Sequence, residues 1–378
     1  MQAVQRVGLW AGGAGALVLA VGAAIAPDRA AANLLLASWA LAGAGLAGAF
    51  FVALSYAADA TWVIAFRRVP ESMTRALPVA AIGLALVFLL RPSLYPWTHE
   101  PVGAPGSFTR LWLSLPFFLT RAIVYFAAWM LFAAALVRNS RRQDRDGDLA
   151  WTRRNRRLSA AFLVVFALTC FLASVDWIMS LTPHWYSTMF GVHNFAGLFQ
   201  SGLAIMILLV VWLRESGPLR HVVTDEHLHD LGKLLFAFAT FWMYIWFSQY
   251  MLIWYANLTE ETVYFLPRMR GGWLPLVMVN IALNWVVPFL AIMNRPFKRQ
   301  AAVLAKVAVA VLVGRWLDLY LMILPSVAPD APPFGAWEAG GALLAAGAFV
   351  AAWVWMFRQA APVPAQDPYL PESLHYHS

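Results

Sequence analysis

The chain has 378 residues, of which 61% are hydrophobic and only 12% are charged. A mean hydropathy of +0.65 excludes an ordinary soluble domain and predicts a multi-pass membrane protein. The net charge of +8 lies in short connections between apolar runs. This distribution indicates membrane topology and argues against nucleic-acid binding.

Ten apolar runs predict ten transmembrane helices, most of them about 19 to 25 residues long. The first run resembles a signal peptide, but Pro27 follows the cleavage-like Ala24-Ile25-Ala26, so we expect a membrane helix. The predicted spans are 8–26, 33–56, 76–90, 111–137, 158–180, 190–213, 231–256, 273–293, 301–323 and 336–357.

Lys and Arg are distributed unevenly between the connections on the two sides. With the N-terminus inside, the inner connections hold eighteen of these residues and the outer connections hold five. Because Lys and Arg are retained on the cytoplasmic side, the asymmetry predicts that both termini are cytoplasmic. An even number of spans is what this arrangement requires.

Two polar segments lie on the inner side. The connection 138–157, RNSRRQDRDGDLAWTRRNRR, is predicted to be a solvated topology anchor that also contacts anionic lipid. The Pro-rich residues 359–378 are predicted to form an extended cytoplasmic tail.

The content of cysteine and histidine limits redox chemistry. Cys170 is the single cysteine, so the thiols for an iron–sulfur cluster or a disulfide are lacking. Only His193 lies well inside a predicted span, whereas a membrane cytochrome b needs axial ligands on facing helices. His227 and His229 alternate on a helix without a third ligand, so no metal site is predicted. We expect that the chain binds no cofactor alone and that any electrons pass to a partner.

Two spans share a pattern that suggests an internal repeat. The fifth ends ASVDWIMSLTP and the ninth ends GRWLDLYLMILP, so Asp176 and Asp318 each precede a proline by seven residues. We therefore predict an all-α polytopic domain over 1–358. It contains two related four-helix bundles, about 33–180 and 190–323, with the first and tenth helices peripheral to them.

Ionisable side chains inside spans need a reason, because an ionised group at mid-bilayer costs roughly 2.5–3.5 kcal/mol. Arg315 and Asp318 lie three residues apart on one helix, so they either pair locally or take part in proton movement. Arg121 has no local partner and is predicted to pair with Asp176 or Asp318 on another helix.

Asp176 also begins a polar and aromatic segment. Together with His184, Trp185 and His193 it predicts a quinone site, which needs a proton acceptor and an aromatic wall. The alternative is a helix end that satisfies its own carbonyls and is anchored among the lipid headgroups.

The seventh span carries a polar stripe along one helical face, formed by Lys233, Thr240, Tyr244, Ser248 and Tyr255. Gln249 lies beside the stripe, and His229 and Asp230 lie at its entrance. These groups either cap and pair the helix surface or form a proton path. Such a path would enter at His229 and Asp230 and leave near Asp176 or Asp318, with Arg121 and Arg315 beside it.

Two long segments carry a family resemblance: SVDWIMSLTPHWYSTMFGVHNFAG (174–197) and HLHDLGKLLFAFATFWMYIWFSQYMLIWYANLTEETVYF (227–265). They resemble the NrfD-like membrane subunits of bacterial alternative complex III, of the ActF type. FRRVPESM (66–73) and DPYLPESL (367–374) are similar to the pattern of that family as well.

The resemblance implies a non-catalytic subunit of a quinol:cytochrome c (or other periplasmic acceptor) oxidoreductase in the bacterial inner membrane. It implies haem c and iron–sulfur clusters in partners, namely a multihaem cytochrome c subunit and an iron–sulfur subunit. A homologous NrfD-like quinol-binding subunit and small membrane subunits complete the expected assembly. The motif positions that match are Asp176, His229, Asp230, Lys233, Tyr244 and Gln249.

Three other functions remain open from the sequence. The chain is a purely structural membrane anchor, or it binds quinone as a subunit of a polysulfide-reductase-like enzyme. The third, a small-solute transporter, has little support, because Pro275 and Pro288 are the nearest thing to a broken-helix site.

Overall fold

The computed structural model describes residues 1–376, which form an all-α polytopic membrane protein with no strand among them. As predicted, ten helices are long and apolar enough to cross a bilayer. Spans 1 to 10 are Gln2–Ile25, Pro27–Ala57, Arg68–Leu90, Leu115–Asp146, Leu149–Leu181, Met189–Glu215, Asp225–Ala256, Trp273–Ile292, Ala301–Ser326 and Ala336–Phe357. Residues 1 and 376 lie at one end of the bundle, which we call the terminal face; the other end is the opposite face.

The charged connection 138–157 is helical rather than an open loop. Span 4 continues to Asp146, because Arg and Gln are good helix formers, and it ends at Gly147 in the left-handed region with φ of 66°. Span 5 then starts at once, since the side chain of Asp148 caps it by accepting from the backbone N–H of Ala150. The positive charge of this connection is therefore fixed on two rigid helices.

Spans 2 to 5 pack against one another, and so do spans 6 to 9. Spans 2 and 6 join the two groups and lie mostly inside the molecule. Asp176 and Asp318 stand near the opposite-face ends of spans 5 and 9, one in each group. The packing thus places one buried carboxylate in each group of four spans.

Spans 1 and 10 form a close antiparallel pair beside these groups. A Cβ atom added to Gly347 would lie 2.2 Å from the backbone nitrogen of Gly12, so the backbones touch where both residues are glycine. Small residues at a helix interface permit this approach, which supplies the packing that the hydrophobic effect does not provide in lipid.

Span 8 is not a regular α-helix. Residues Ala282–Val286 form a π-helical turn between the α-helical segments Trp273–Ile281 and Val287–Ile292. Pro288 follows this turn and has no N–H to donate. A π-turn widens the helix locally and often marks a functional position.

The C-terminal residues are docked on the terminal face and are not extended through residue 376. Asp367 pairs with the buried Arg67 at 2.7 Å. Ser373 donates to the carbonyl of Trp62 at 2.8 Å and accepts from the N–H of Ala65 at 3.0 Å. The sequence pattern did not predict these contacts because proline-rich composition describes local stiffness, not the partner on which a segment folds.

Candidate functional site

The polar stripe of span 7 lies on the surface of the chain. Tyr244 is 63% exposed and Tyr255 is 83% exposed. Thr240 is exposed and donates to the carbonyl of Phe236 in its own helix, while Ser248 is half-buried. This stripe therefore does not run through the interior of the chain; it is available to lipid or to a neighbouring subunit.

Asp230 stands where span 7 begins, at the terminal face. Its carboxylate accepts a hydrogen bond from the hydroxyl of Tyr376 and pairs with the half-exposed Lys233. The Nδ1 atom of His229 lies 3.8 Å from the same carboxylate. Burial, together with the hydrogen bond to Asp230, raises the pKa of Tyr376 to about 12. The next buried positions on this helix are apolar: Leu231, Leu235 and Ala239.

Asp176 is fully buried and its hydrogen bonding is complete. Arg121 of span 4 makes two bonds of 2.8 Å to its carboxylate, one to each oxygen. Tyr125 donates at 3.0 Å and the indole of Trp112 donates at 2.9 Å. Each carboxylate oxygen thus accepts two bonds, so this predicted pair is a saturated cluster that joins spans 4 and 5.

Asp318 lies where all four spans of the second group converge. Arg315 of its own helix donates to it at 2.6 Å, which is the local pair that the spacing predicted. The other three contacts are longer: Trp242 and Asn280 donate at 3.3 Å, and Nε2 of His193 lies 3.4 Å away. This carboxylate is therefore held by one strong bond and three weak ones.

A polar bridge connects the residues around Asp318 to spans 2 to 5. Arg315 donates to the side-chain carbonyl of Asn194, and the indole of Trp39 donates to the same atom, both at 3.3 Å. The ring of Trp39 meets that of Trp177 edge-on, with centroids 5.4 Å apart. Trp177 follows Asp176 in the chain, so the two clusters lie on either side of one tryptophan contact.

A row of buried amides leads from Asp318 toward the terminal face, along the π-turn of span 8. Asn280, which donates to Asp318, accepts a bond of 2.7 Å from the side chain of Asn284. The backbone carbonyl of Asn284 accepts from Gln200 at 2.6 Å. The side-chain oxygens of Asn284 and Gln200 are buried without a partner in the described chain. Sequence reasoning missed these amides, although Asn280 and Asn284 stand one turn apart in an apolar span.

A small cavity of about 30 Å³ adjoins Asp318, Asn280 and His193. Nδ1 of His193 and Nε2 of Gln249, which line it, are buried without a hydrogen-bond partner in the described chain. Arg268 closes one side, donating to the backbone carbonyls of Tyr264, Leu321 and Met322, and burial lowers its pKa. A polar cavity of this size suits one or two water molecules.

The residues predicted for a quinone site do not form one pocket. Asp176 is saturated by Arg121, and His193 faces Asp318 instead. His184 is exposed, and the buried ring of Trp185 is stacked on Tyr264 with centroids 4.0 Å apart. Pockets for ligands of that size measure roughly 300–1,000 Å³, so the cavity beside His193 does not fit a quinone ring.

The sequence matches no protein-family model and no curated protein. The functional interpretation therefore depends on the residues around Asp176 and Asp318 and on the motif resemblance.

Proposed function

We propose that the chain is the ActF-type membrane subunit of an alternative complex III, a quinol oxidoreductase of the bacterial inner membrane. The motifs at 174–197 and 227–265 support this assignment. In this proposal the terminal face is cytoplasmic, because it holds most of the Lys and Arg residues of the connections. Haem c and iron–sulfur partners perform the electron transfer, and this chain supports assembly and moves protons.

The observation that carries the proton role is the incompletely bonded Asp318 cluster. A carboxylate, a water-sized cavity and an imidazole nitrogen that has no partner among residues 1–376 lie together within the spans. A proton relay requires groups that exchange protons through short hydrogen-bonded steps, and buried ionisable groups in membranes commonly serve that purpose. The amide row from Asn280 to Gln200 orients such a relay toward the terminal face.

The proposed proton route crosses one apolar stretch. Between Asp230 and the Asp318 cluster, the buried face of span 7 presents Leu235 and Ala239. Protons taken up near Asp230, His229 and Lys233 must cross this apolar stretch to reach Gln200 and Asn284. We infer that proton movement through this apolar stretch controls the coupling of proton transfer to electron transfer. The exposed stripe at Tyr244 and Tyr255 does not.

The test compares two conservative variants in the assembled complex reconstituted into vesicles. Asp318→Asn should lower the number of protons moved per electron, with proton transfer slowed roughly 10²-fold. Asp176→Asn is the matched control: it should reduce the amount of assembled complex and leave the ratio per assembled complex unchanged. If the number of protons moved per electron is unchanged in Asp318→Asn, the chain does not move protons through Asp318.

The second candidate is a structural anchor without proton transfer. The saturated Asp176–Arg121 cluster favours it, because that cluster only joins helices. Under this alternative both variants lower assembly and neither alters the ratio of protons to electrons.

A further inference from the structure

A cavity of about 660 Å³ opens on the terminal face between spans 3, 4 and 10. Five arginines line it, and no acidic side chain does: Arg75, Arg138, Arg141, Arg142 and Arg145. Four of them follow one another on one face of the extended span 4, at helical spacing. The cavity therefore concentrates positive charge that nothing in its lining neutralises.

Three arginines elsewhere on the terminal face are neutralised by ion pairs. Arg67 pairs with Asp367, Arg68 pairs with Asp144, and Arg156 pairs with Asp59. In the cavity, Arg138 and Arg145 have no ion pair or hydrogen bond within the described chain. Arg138 and Arg145 are thus available to bind an anion.

Two further contacts pre-position the basic lining. The guanidinium of Arg75 lies over the ring of Trp355 at 4.4 Å, and that of Arg142 lies over Trp151 at 5.2 Å. Arg141 donates to the backbone carbonyl of Met356 at 3.1 Å, while its Nε is buried with no partner in the part of the chain that the structure describes. Stacking and backbone bonds hold these groups without cancelling their charge.

The lower wall of the cavity is apolar and continues toward the membrane interior. It is formed by Leu77, Pro78, Met130, Ala133, Ala134, Val137 and Met356. Met130 lies eight residues before Arg138 on span 4, which corresponds to about 12 Å along the helix axis. A ligand that fills the cavity therefore needs an anionic head and an apolar part of roughly that depth.

We propose that this cavity binds an anionic phospholipid with two phosphate groups, a diphosphatidylglycerol. Guanidinium groups bind phosphate oxygens through paired hydrogen bonds. The charge of five guanidinium groups matches two phosphate groups better than a single phosphate group. Basic pockets between membrane helices bind such headgroups. The acyl chains lie along the wall from Val137 to Met130.

The test measures lipid retained by the full chain, with any co-purifying subunits, by native mass spectrometry in mild detergent. The unaltered chain should retain diphosphatidylglycerol more strongly than phosphatidylglycerol, and phosphatidylcholine least. Equal retention of the three lipids overturns the proposal. Equal retention of the first two overturns the assignment of two phosphates. The order of retention of the three lipids is measured on the unaltered chain, so this test does not depend on whether a variant folds.

Variants locate the site. Arg138→Ala with Arg145→Ala should weaken diphosphatidylglycerol binding roughly 30-fold. The control, Arg153→Ala with Arg154→Ala, removes the same charge from exposed positions of the adjacent helix and should leave binding unchanged. Equal weakening in both pairs contradicts a defined site. If inorganic phosphate displaces the lipid and binds as tightly, the cavity is a site for a soluble anion and the lipid proposal fails.

Discussion

Asp176 and Asp318 occupy corresponding places in the chain, seven residues before a proline near the end of a span, yet their surroundings differ. Asp176 accepts four bonds of 2.8 to 3.0 Å, two of them from Arg121 on a different span. Asp318 has one strong partner, Arg315, on its own helix, and its three remaining contacts measure 3.3 to 3.4 Å. The first carboxylate fastens two helices together, whereas the second is bound strongly by its own helix and weakly by three neighbouring helices.

This difference has a chemical meaning. A buried carboxylate whose lone pairs are all used by short bonds holds its donors in fixed positions and has no lone pair left for another partner. In the proposed proton relay, a proton moves between neighbours through the weak contacts of Asp318, the adjoining cavity and the Nδ1 of His193, which has no partner in the described chain. The same sequence pattern thus produces a helix clamp in one group of spans and, in the proposed function, a proton-exchanging site in the other.

Removing the arginine from each cluster tests this contrast most strongly. Arg121→Ala leaves Asp176 as a buried charge with neutral donors only, so the free energy of unfolding should fall by about 3–5 kcal/mol. Arg315→Ala should cost about 1–3 kcal/mol, because it removes one hydrogen bond from Asp318, whereas Arg121→Ala removes two from Asp176. Both are measured by unfolding of the purified chain in detergent micelles, followed by tryptophan fluorescence.

Arg110→Ala is the control, because it removes a guanidinium group from an exposed position two residues before Trp112 of the Asp176 cluster. Its effect on stability should be within about 0.5 kcal/mol. Equal losses for Arg121→Ala and Arg315→Ala would show that the two carboxylates are held in the same way, and the contrast would fail.

Gln249 provides a smaller test with the opposite sign. Its Nε2 is buried beside the cavity and has no hydrogen-bond partner within the described chain, so Gln249→Met removes an unsatisfied donor at similar volume. The free energy of unfolding should rise by about 1 kcal/mol. In the matched control, Gln143→Met should lower it by about 1 kcal/mol, because Nε2 of Gln143 donates to Thr152 at 2.7 Å. A loss of stability in both variants would mean that Gln249 is bonded as fully as Gln143.

The fold was largely predictable because lipid imposes a simple rule: a span must be long, apolar and helical. That rule gave all ten spans. It did not give the helical extension of span 4 to Asp146 or the start of span 7 at Asp225, since these turns lie beyond the apolar runs. Gly147 in the left-handed region decides the end of span 4, and capping by Thr224 with His227 decides the start of span 7.

The candidate site was predictable only in part. The sequence indicated that Arg121 needed a partner on another helix and that Arg315 pairs with Asp318. It did not show which face of span 7 is buried, because aromatic residues such as Tyr244 and Trp246 occur on both faces. Periodicity identified a polar stripe, but polar groups at a membrane protein surface look the same in sequence as those of an internal path. The amides Asn280 and Asn284 gave a weaker signal because they are uncharged.

Asp230 extends the comparison to a third carboxylate, one that accepts a bond from the docked C-terminal segment. Tyr376→Phe removes this bond and should lower the free energy of unfolding by about 0.5–1.5 kcal/mol at pH 8. The loss is small because Lys233 still pairs with Asp230. Tyr369→Phe in the same segment is the control, since its hydroxyl has no hydrogen bond within the described chain, and it should leave stability unchanged.

The pH dependence of that loss follows from the pKa of Tyr376, which is raised to about 12 from the usual value of roughly 10. A raised pKa in the folded state means that the neutral phenol is the stabilising form. Its contribution is complete below about pH 10 and disappears as the pH rises toward about 12. The difference between the unaltered chain and Tyr376→Phe should therefore shrink between pH 10 and pH 12 in detergent unfolding. A difference that stays constant across this window would show that the hydroxyl of Tyr376 does not bind Asp230.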